Sequence, residues 1–295
     1  MGELTSVSDV AEGLAAQDYL TDEGLATAVF LTMRLQRPLF LEGDAGVGKT
    51  ALAQALAAWT GAPLVRLQCY EGIDAAQALY EWDHPRQLLH LRAVSSATEA
   101  DLYDPRFLIR RPLLQALDPV DLPGGATPVL LIDEIDRADD EFEAFLLELL
   151  SDWAVTIPEV GRVSAAVPPP TILTSNRTRD VHDALKRRCL YHWIDQPSLE
   201  REVAIVRVRA PEVPEALARQ VAAAVASLRG LRLYKVPGVA ETIDWGRALA
   251  ALGRTSLDEA SVTATLGWVV KYREDQHRVV DHGISQLVQE ALRHV

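Results

Sequence analysis

Eight consecutive residues, Gly43-Asp44-Ala45-Gly46-Val47-Gly48-Lys49-Thr50, carry the spacing G-x-x-x-x-G-K-[ST]. The chemistry needs each type at its place. Glycines let the backbone curl so that several N–H groups face one phosphate. The helix predicted from Thr50 onward adds the partial positive charge of its N-terminus. Lys49 is suited to the β- and γ-phosphates of ATP, and the Thr50 hydroxyl to a Mg²⁺ ion. Gly43 to Ala51 are therefore the candidate nucleotide-binding residues.

A second constellation lies downstream. Val129-Leu130-Leu131-Ile132-Asp133-Glu134 places two carboxylates at the C-terminal end of an apolar run. In an open α/β sheet, ligands bind outside that end of the strands. Asp133 is placed to hold Mg²⁺, directly or through water, and Glu134 to take a proton from an attacking water. Asp136 and Asp139 fit the plainer role of helix caps. No Asn-Lys-x-Asp guanine-reading segment occurs, and the Asp-Glu pair suits ATP hydrolysis better than phosphoryl transfer to a small molecule.

Two further features complete the set. Ile172-Leu173-Thr174-Ser175-Asn176 is a strand-like run ending in an amide, so Asn176 is a candidate for hydrogen-bonding the attacking water or the γ-phosphate. Ala184-Leu185-Lys186-Arg187-Arg188-Cys189 ends a short helical stretch in cations. These either complement the helix dipole or send one arginine into a neighbouring subunit's ATP site as a finger, Arg188 ahead of Arg187.

The elements that must position these residues follow from pattern. Residues 9–37 read as helical, Pro38 to Glu42 as a buried strand, Thr50 to Trp59 as a helix and Leu64 to Gln68 as a strand. Pro128 to Ile132, ending at Asp133, and Thr171 to Ser175 are further strands, with an amphipathic helix from Asp139 to Trp153 between them. Strands alternating with helices predict a three-layer αβα parallel sheet. After Pro197 the strand-like runs largely vanish, and Ser256-Leu257-Asp258-Glu259 reads as a capping box opening a helix toward Tyr272. The expected division is a nucleotide-binding α/β domain over 1–196 and an all-α lid over 197–295.

Composition bounds the rest. The 295 residues carry 29 Lys and Arg against 42 Asp and Glu, a formal net charge of −13, which disfavours nucleic acid and anionic lipid as general partners. No apolar run approaches a membrane span, and the opening MGELTSVSDV lacks the basic and apolar regions of a leader. Cys69 and Cys189 lie far apart and fit buried thiols in a reducing cytoplasm. The seven histidines form no close metal-ligating cluster with them, so no metal other than Mg²⁺ is expected.

The ordered set Gly43–Thr50, Leu130–Glu134, Asn176 and Arg187/Arg188, followed by a helical region, resembles an AAA+ ATPase. Two segments resemble its MoxR branch: a β-hairpin near 153–167 turning at Gly161, and an insertion near 72–92 containing Tyr80-Glu81-Trp82-Asp83-His84-Pro85. The runs Leu67-Gln68-Cys69-Tyr70-Glu71-Gly72 and Thr174-Ser175-Asn176-Arg177-Thr178-Arg179-Asp180 look like those of CoxD-type ATPases. That resemblance implies a ring, most simply a hexamer, that remodels a client protein. It also implies a von Willebrand factor A-type partner and a metalloenzyme client of the molybdenum hydroxylase or carbon monoxide dehydrogenase kind. The lid departs from the family pattern: Trp245 stands where a second-sensor arginine is expected, with Arg247 slightly displaced. Tyr80 and Trp82 are either core aromatics or client contacts.

Two other classes stay open at this stage. A DNA-acting motor, such as a helicase or clamp-loader relative, would need a local basic track, for which Arg106, Arg110 and Arg111 are the candidates. A non-hydrolysing nucleotide-gated scaffold would have no use for Glu134 and Asn176.

Overall fold

The computed structural model describes residues 5–93 and 99–293; the first four residues of the opening stretch read above for a leader lie outside them. The amino-terminal helical stretch is two helices, α1 (Val7–Ala15) and α2 (Glu23–Leu35), which corrects the expectation of one run over 9–37. Asp18 adopts φ +58, leaving the right-handed helical region, and Asp22 restarts the helix by accepting from the Leu25 amide at 2.7 Å.

The strand carrying the phosphate motif, β1 (Leu39–Gly43), feeds α3 (Lys49–Thr60) and then β2 (Leu64–Gln68). The next segment contains α4 (Ala75–Leu79), β3 (Tyr80–Trp82), α5 (His84–Ala93), α6 (Glu99–Leu102), β4 (Leu108–Arg110) and α7 (Pro112–Leu117). Strands β3 and β4 pair antiparallel on their own, so this segment is an accessory to the main sheet. Tyr80 and Trp82 are half-buried and pack against the neighbouring core, with Trp82 edge-on to Tyr103 at 5.4 Å. Their packing is that of core aromatics.

β5 (Val129–Asp133) then leads to α8 (Asp140–Asp152), the hairpin β6 (Ala154–Ile157) and β7 (Gly161–Ser164), and β8 (Thr171–Ser175). Helix α8 starts where expected because the Asp139 carboxylate accepts from the Phe142 amide at 2.9 Å. It buries Phe142, Leu146, Leu149 and Leu150, one stripe at helical spacing. The hairpin reverses over residues 158–160, and Gly161, at φ +95, opens the returning strand. Then come α9 (Asp183–Arg188) and β9 (Leu190–Ile194).

The main sheet has the order β2-β5-β8-β1-β9, with β2, β5, β8 and β1 parallel. β1, β5 and β8 are buried at every position, as expected of parallel strands covered on both faces. β2 differs: Val65 and Leu67 are buried while Arg66 and Gln68 are exposed. The register sets Gln68 beside Asp133 and Ile132 beside Leu173, so the polar ends of β2, β5 and β8 meet. The chain inserts β8 between β1 and β5, and this reversal of strand order is where α/β sheets bind ligands.

The chain divides into two compact units. One holds the main sheet, up to Trp193. The other begins at Ile194 and also takes in Asp18–Leu20 and Asp44–Gly48. Beyond the sheet this second unit contains α10 (Leu199–Arg209), α11 (Glu215–Arg229), α12 (Val239–Ala251), α13 (Glu259–Val269), α14 (Arg273–His282) and α15 (Ile284–Leu292). Its core is built around Trp245, Leu249, Leu217, Val221 and Val225. The cap of α13 is Asp258, which exchanges hydrogen bonds with Ser261, rather than a box starting at Ser256. Trp245 is fully buried and donates its indole N–H to Thr265 at 2.7 Å, so it is a core residue and no sensor. Arg247 is exposed and paired with Glu212 at 3.1 Å. Among the described residues, no helix is long and apolar enough to cross a membrane.

A buried ion pair holds α10, α11 and α12 together. Arg229 grips Glu202 through both Nη atoms at 2.6 and 2.8 Å, the Thr242 hydroxyl donates to the same carboxylate, and Arg229 Nε donates to Pro237. Removing one partner strands the other charge in an apolar core, which costs about 3–5 kcal/mol. Glu202→Ala should lower the opening free energy of amides in α10–α12 by that amount, as read by hydrogen exchange. Glu202→Gln, which keeps the shape and an acceptor, should lower it less.

Candidate functional site

The phosphate motif spans the end of β1 and the start of α3. Gly46 and Gly48 take φ +79 and +98, a region that costs a residue with a Cβ about 1–2 kcal/mol. Within the second unit the Gly46 carbonyl accepts from the Ala240 amide at 3.3 Å, at the first turn of α12. In the first unit Lys49 is buried, and its ammonium donates to the Gly43 carbonyl at 2.7 Å. Thr50 turns its hydroxyl to Asp133, at 3.0 and 3.2 Å from the two carboxylate oxygens.

Asp133 is almost fully buried at the end of β5. Besides Thr50, its carboxylate accepts from the Thr174 hydroxyl at 2.5 Å and from Arg66, at 3.0 Å through Nε and 2.6 Å through Nη2. Glu134 follows in the left-handed region at φ +55, a strained conformation for a side chain of this size. Its own amide donates to Thr174 Oγ1 at 2.9 Å, which fixes that turn. The turn lifts the Glu134 carboxylate off the sheet to meet Gln68 at 3.0 Å, Arg137 at 2.8 Å and the Asn176 amide at 3.4 Å. The structure thus gathers Thr50, Asp133, Glu134 and Asn176, four of the residues singled out in the sequence.

Asp136 does something other than cap a helix. It is buried and accepts from the Asn176 amide at 3.2 Å, the Thr178 amide at 2.9 Å and the Thr178 hydroxyl at 2.7 Å. It therefore shapes the turn after β8, in which Arg177 also sits at φ +55. Buried Glu143 continues the scaffold, pairing with Arg179 and accepting from the His182 amide. These carboxylates act on Cys69: burial first, then Asp133, Asp136 and Glu134, push its thiol up to about 12. Burial does the same to Cys189, pushed up to about 12. Neither thiol is a nucleophile at neutral pH.

Arg187 and Arg188 close α9 with exposed side chains. Their carbonyls accept from the Arg37 guanidinium at 2.9 and 3.1 Å, and Lys186 points inward to Glu42 at 3.0 Å. The helix end is therefore held at its backbone while two cations face outward. The arginines considered for a basic track are committed elsewhere: Arg106 pairs with Asp104, Arg110 with Asp118 and Asp121, and Arg111 with Glu81.

In the sequence Arg66 and Arg137 draw no attention, and Gln68 and Thr174 stand only within runs of family resemblance, with no role of their own. Only the register of β2 against β5, and of β5 against β8, shows that they meet the two carboxylates.

A Gly-Lys-Thr turn after a buried strand, beside an Asp-Glu pair on a parallel sheet of this order, defines a phosphate-loop nucleotide hydrolase. Residues 38–189 match the family described as AAA domain (dynein-related subfamily), which is just over half of the chain. The chain belongs to that family and is an ATPase with an α/β phosphate-loop domain and a helical C-terminal region. Midasin from Giardia intestinalis is 44% identical over 54 residues, which are 18% of this chain and 1% of that protein. A solved structure described as a candidate ATPase of Cytophaga hutchinsonii aligns over 98% of this chain and 94% of that one, at 15% identity and a TM-score of 0.45.

Proposed function

We propose that this chain is a MoxR-branch, CoxD-like ATPase that assembles into a cytoplasmic ring of six and spends Mg-ATP hydrolysis on remodelling a client protein. The client is a metalloenzyme of the molybdenum hydroxylase kind in the course of cofactor maturation, recruited by a von Willebrand factor A-type partner. In this reading residues 1–196 form the nucleotide-binding domain and 197–295 the lid. The observation that carries the ATPase half is the convergence of Thr50, Asp133, Glu134 and Asn176 at the ends of three adjacent elements. The client half rests on the Leu67–Gly72 and Thr174–Asp180 runs and on the β6–β7 hairpin.

Residues Gly43 to Ala51 receive the phosphates, with Lys49 donating to the β- and γ-phosphates. A carboxylate and a hydroxyl 3.0 Å apart, both oxygen donors, fit a hard divalent cation, so Thr50 and Asp133 would hold Mg²⁺. When bound, the ion neutralises charge on the phosphate oxygens. Glu134 accepts the proton of the attacking water, and Asn176 orients that carboxylate through its amide. Arg188, with Arg187 beside it, reaches the neighbouring subunit's nucleotide as a finger. The DNA-motor alternative loses its best support, because Arg106, Arg110 and Arg111 are each matched by carboxylates.

The test is a trap. Glu134→Gln is expressed in the native host, held in ATP and isolated with whatever it retains. Recovery of a von Willebrand factor A-type protein together with a molybdenum hydroxylase subunit is the expected result. Lys49→Ala, unable to hold ATP, should recover neither. Recovery of DNA or replication proteins in their place would overturn the client assignment and leave the ATPase standing.

A further inference from the structure

Asp133 carries a cation already. Its carboxylate is buried, with 3% of the side chain exposed, whereas the Arg66 side chain is 49% exposed. Arg66 concentrates both of its contacts, Nε at 3.0 Å and Nη2 at 2.6 Å, on one oxygen, Oδ2. The other oxygen, Oδ1, takes the Thr174 hydroxyl at 2.5 Å, and the Thr50 hydroxyl lies 3.0 Å from Oδ1 and 3.2 Å from Oδ2. The two oxygens therefore have different holds. Oδ1 is fixed by the Thr174 hydroxyl from the sheet, while Oδ2 is neutralised by a half-exposed guanidinium that can return to water at little cost.

Arg66 makes a second contact. Its Nη2 donates to the Gln68 side-chain oxygen at 2.5 Å, and the Gln68 amide donates to Glu134 Oε2 at 3.0 Å. Arg66 and Gln68 stand two apart on β2 and so share its exposed face. One continuous line of hydrogen bonds thus joins the two carboxylates, Asp133–Arg66–Gln68–Glu134.

We propose that Arg66 is a displaceable counter-cation that occupies Oδ2 of Asp133 and, through Gln68, keeps Glu134 engaged until a divalent ion on that carboxylate replaces it. This rests on the reading of Asp133 as a metal ligand given above. A guanidinium and a divalent cation on one oxygen repel each other, so Arg66 leaves Oδ2 as the ion arrives. Its departure withdraws the donor that steadies the Gln68 amide and loosens the hold on Glu134. Arg66 then sets the ion concentration at which the site becomes competent.

Binding of Mn²⁺, an oxygen-seeking stand-in for Mg²⁺, tests this in the full chain with ADP present, read by loss of the free-ion paramagnetic resonance signal. Arg66→Gln should bind Mn²⁺ about five-fold more tightly than the unaltered chain, the factor for an ion pair with one exposed partner. The Mg²⁺ concentration for half-maximal ATP turnover should fall by the same factor. In an Asp133→Asn background the Arg66 substitution should change nothing. Equal or weaker Mn²⁺ binding by Arg66→Gln overturns the proposal. If Asp133→Asn itself binds Mn²⁺ as the unaltered chain does, the reading of Asp133 fails first and the proposal falls with it. Should Arg66→Gln not fold, Arg66→Lys keeps the charge and loses the two-pronged grip. Tighter Mn²⁺ binding than by the unaltered chain, though less tight than a neutral side chain would allow, is then expected, and no tightening would overturn the proposal.

Discussion

Glu134→Gln should bind ATP as tightly as the unaltered chain and turn it over about 10²–10⁴ times more slowly, the range general-base removal produces. The substitution keeps size and hydrogen-bonding shape, so the local structure should hold. Gln68 and Asn176 donate to different oxygens of Glu134, at 3.0 and 3.4 Å, so the single carbonyl oxygen of glutamine keeps one of these two bonds. The backbone bond from residue 134 to Thr174 is untouched. Basicity, charge and one of those two bonds are lost, and with charge goes the ion pair to Arg137. That pair is partly exposed and worth less than about 1 kcal/mol, so affinity should change little. Phosphate release and equilibrium nucleotide binding, measured on the same preparation, separate the two effects. Turnover within a few-fold of normal would remove Glu134 from the base role. A joint loss of binding and turnover would mean that the substitution disturbed Asp133 next door.

The main sheet was legible because parallel strands covered on both faces are continuous apolar runs. Leu39–Leu41, Val129–Ile132 and Ile172–Leu173 announce themselves without any knowledge of their neighbours. Helix boundaries were harder where two signals competed. Leu14, Leu25 and Val29 keep a helical spacing across a break, and only the Asp22 cap and the positive φ of Asp18 show that the chain turns there. Ser256 and Asp258 are both good caps. The chain uses Asp258, whose carboxylate reaches the Ser261 amide at 2.7 Å. Thr242, Trp245, Gly246 and Leu249 mark the buried stripe of α12, so the tryptophan that stands where the family's lid carries an arginine is a core residue.

The candidate site divides along a different line. Residues that act through a local turn, such as those of the phosphate motif and the Asp133-Glu134 pair, are readable because their spacing along the chain is their geometry. Residues that act across strands are not. Arg66 and Gln68 look like the solvent face of an alternating strand until β2 is registered against β5, with Gln68 opposite Asp133. Thr174 looks like one more small residue in a buried strand until β8 is set beside β5. Asp136 was read as a cap because acidic residues after strands often are. Its burial and its three bonds to Asn176 and Thr178 depend on a turn 40 residues away. Nonlocal pairing is the missing information in each case.

Arg188→Ala should cut turnover by about 10³–10⁵-fold while leaving ATP binding intact, the magnitude of an arginine that stabilises charge on transferring phosphate. The end of α9 is built to present a side chain with little cost in backbone order. Leu185 is buried, Lys186 is drawn back to Glu42 at 3.0 Å, and Arg37 ties the carbonyls of Arg187 and Arg188. Removing the Arg188 side chain touches none of these anchors, so unfolding should not confound the result. A finger acting between copies makes a further demand. Lys49→Ala subunits have a dead phosphate loop but an intact Arg188, and Arg188→Ala subunits the reverse. Mixed, they should recover part of the activity that each lacks alone. Arg187→Ala should cost far less, because the two neighbours leave the helix in different directions, about 100° apart. Loss without recovery on mixing would place Arg188 on its own subunit's nucleotide, and no loss at all would leave both arginines as dipole-matching cations.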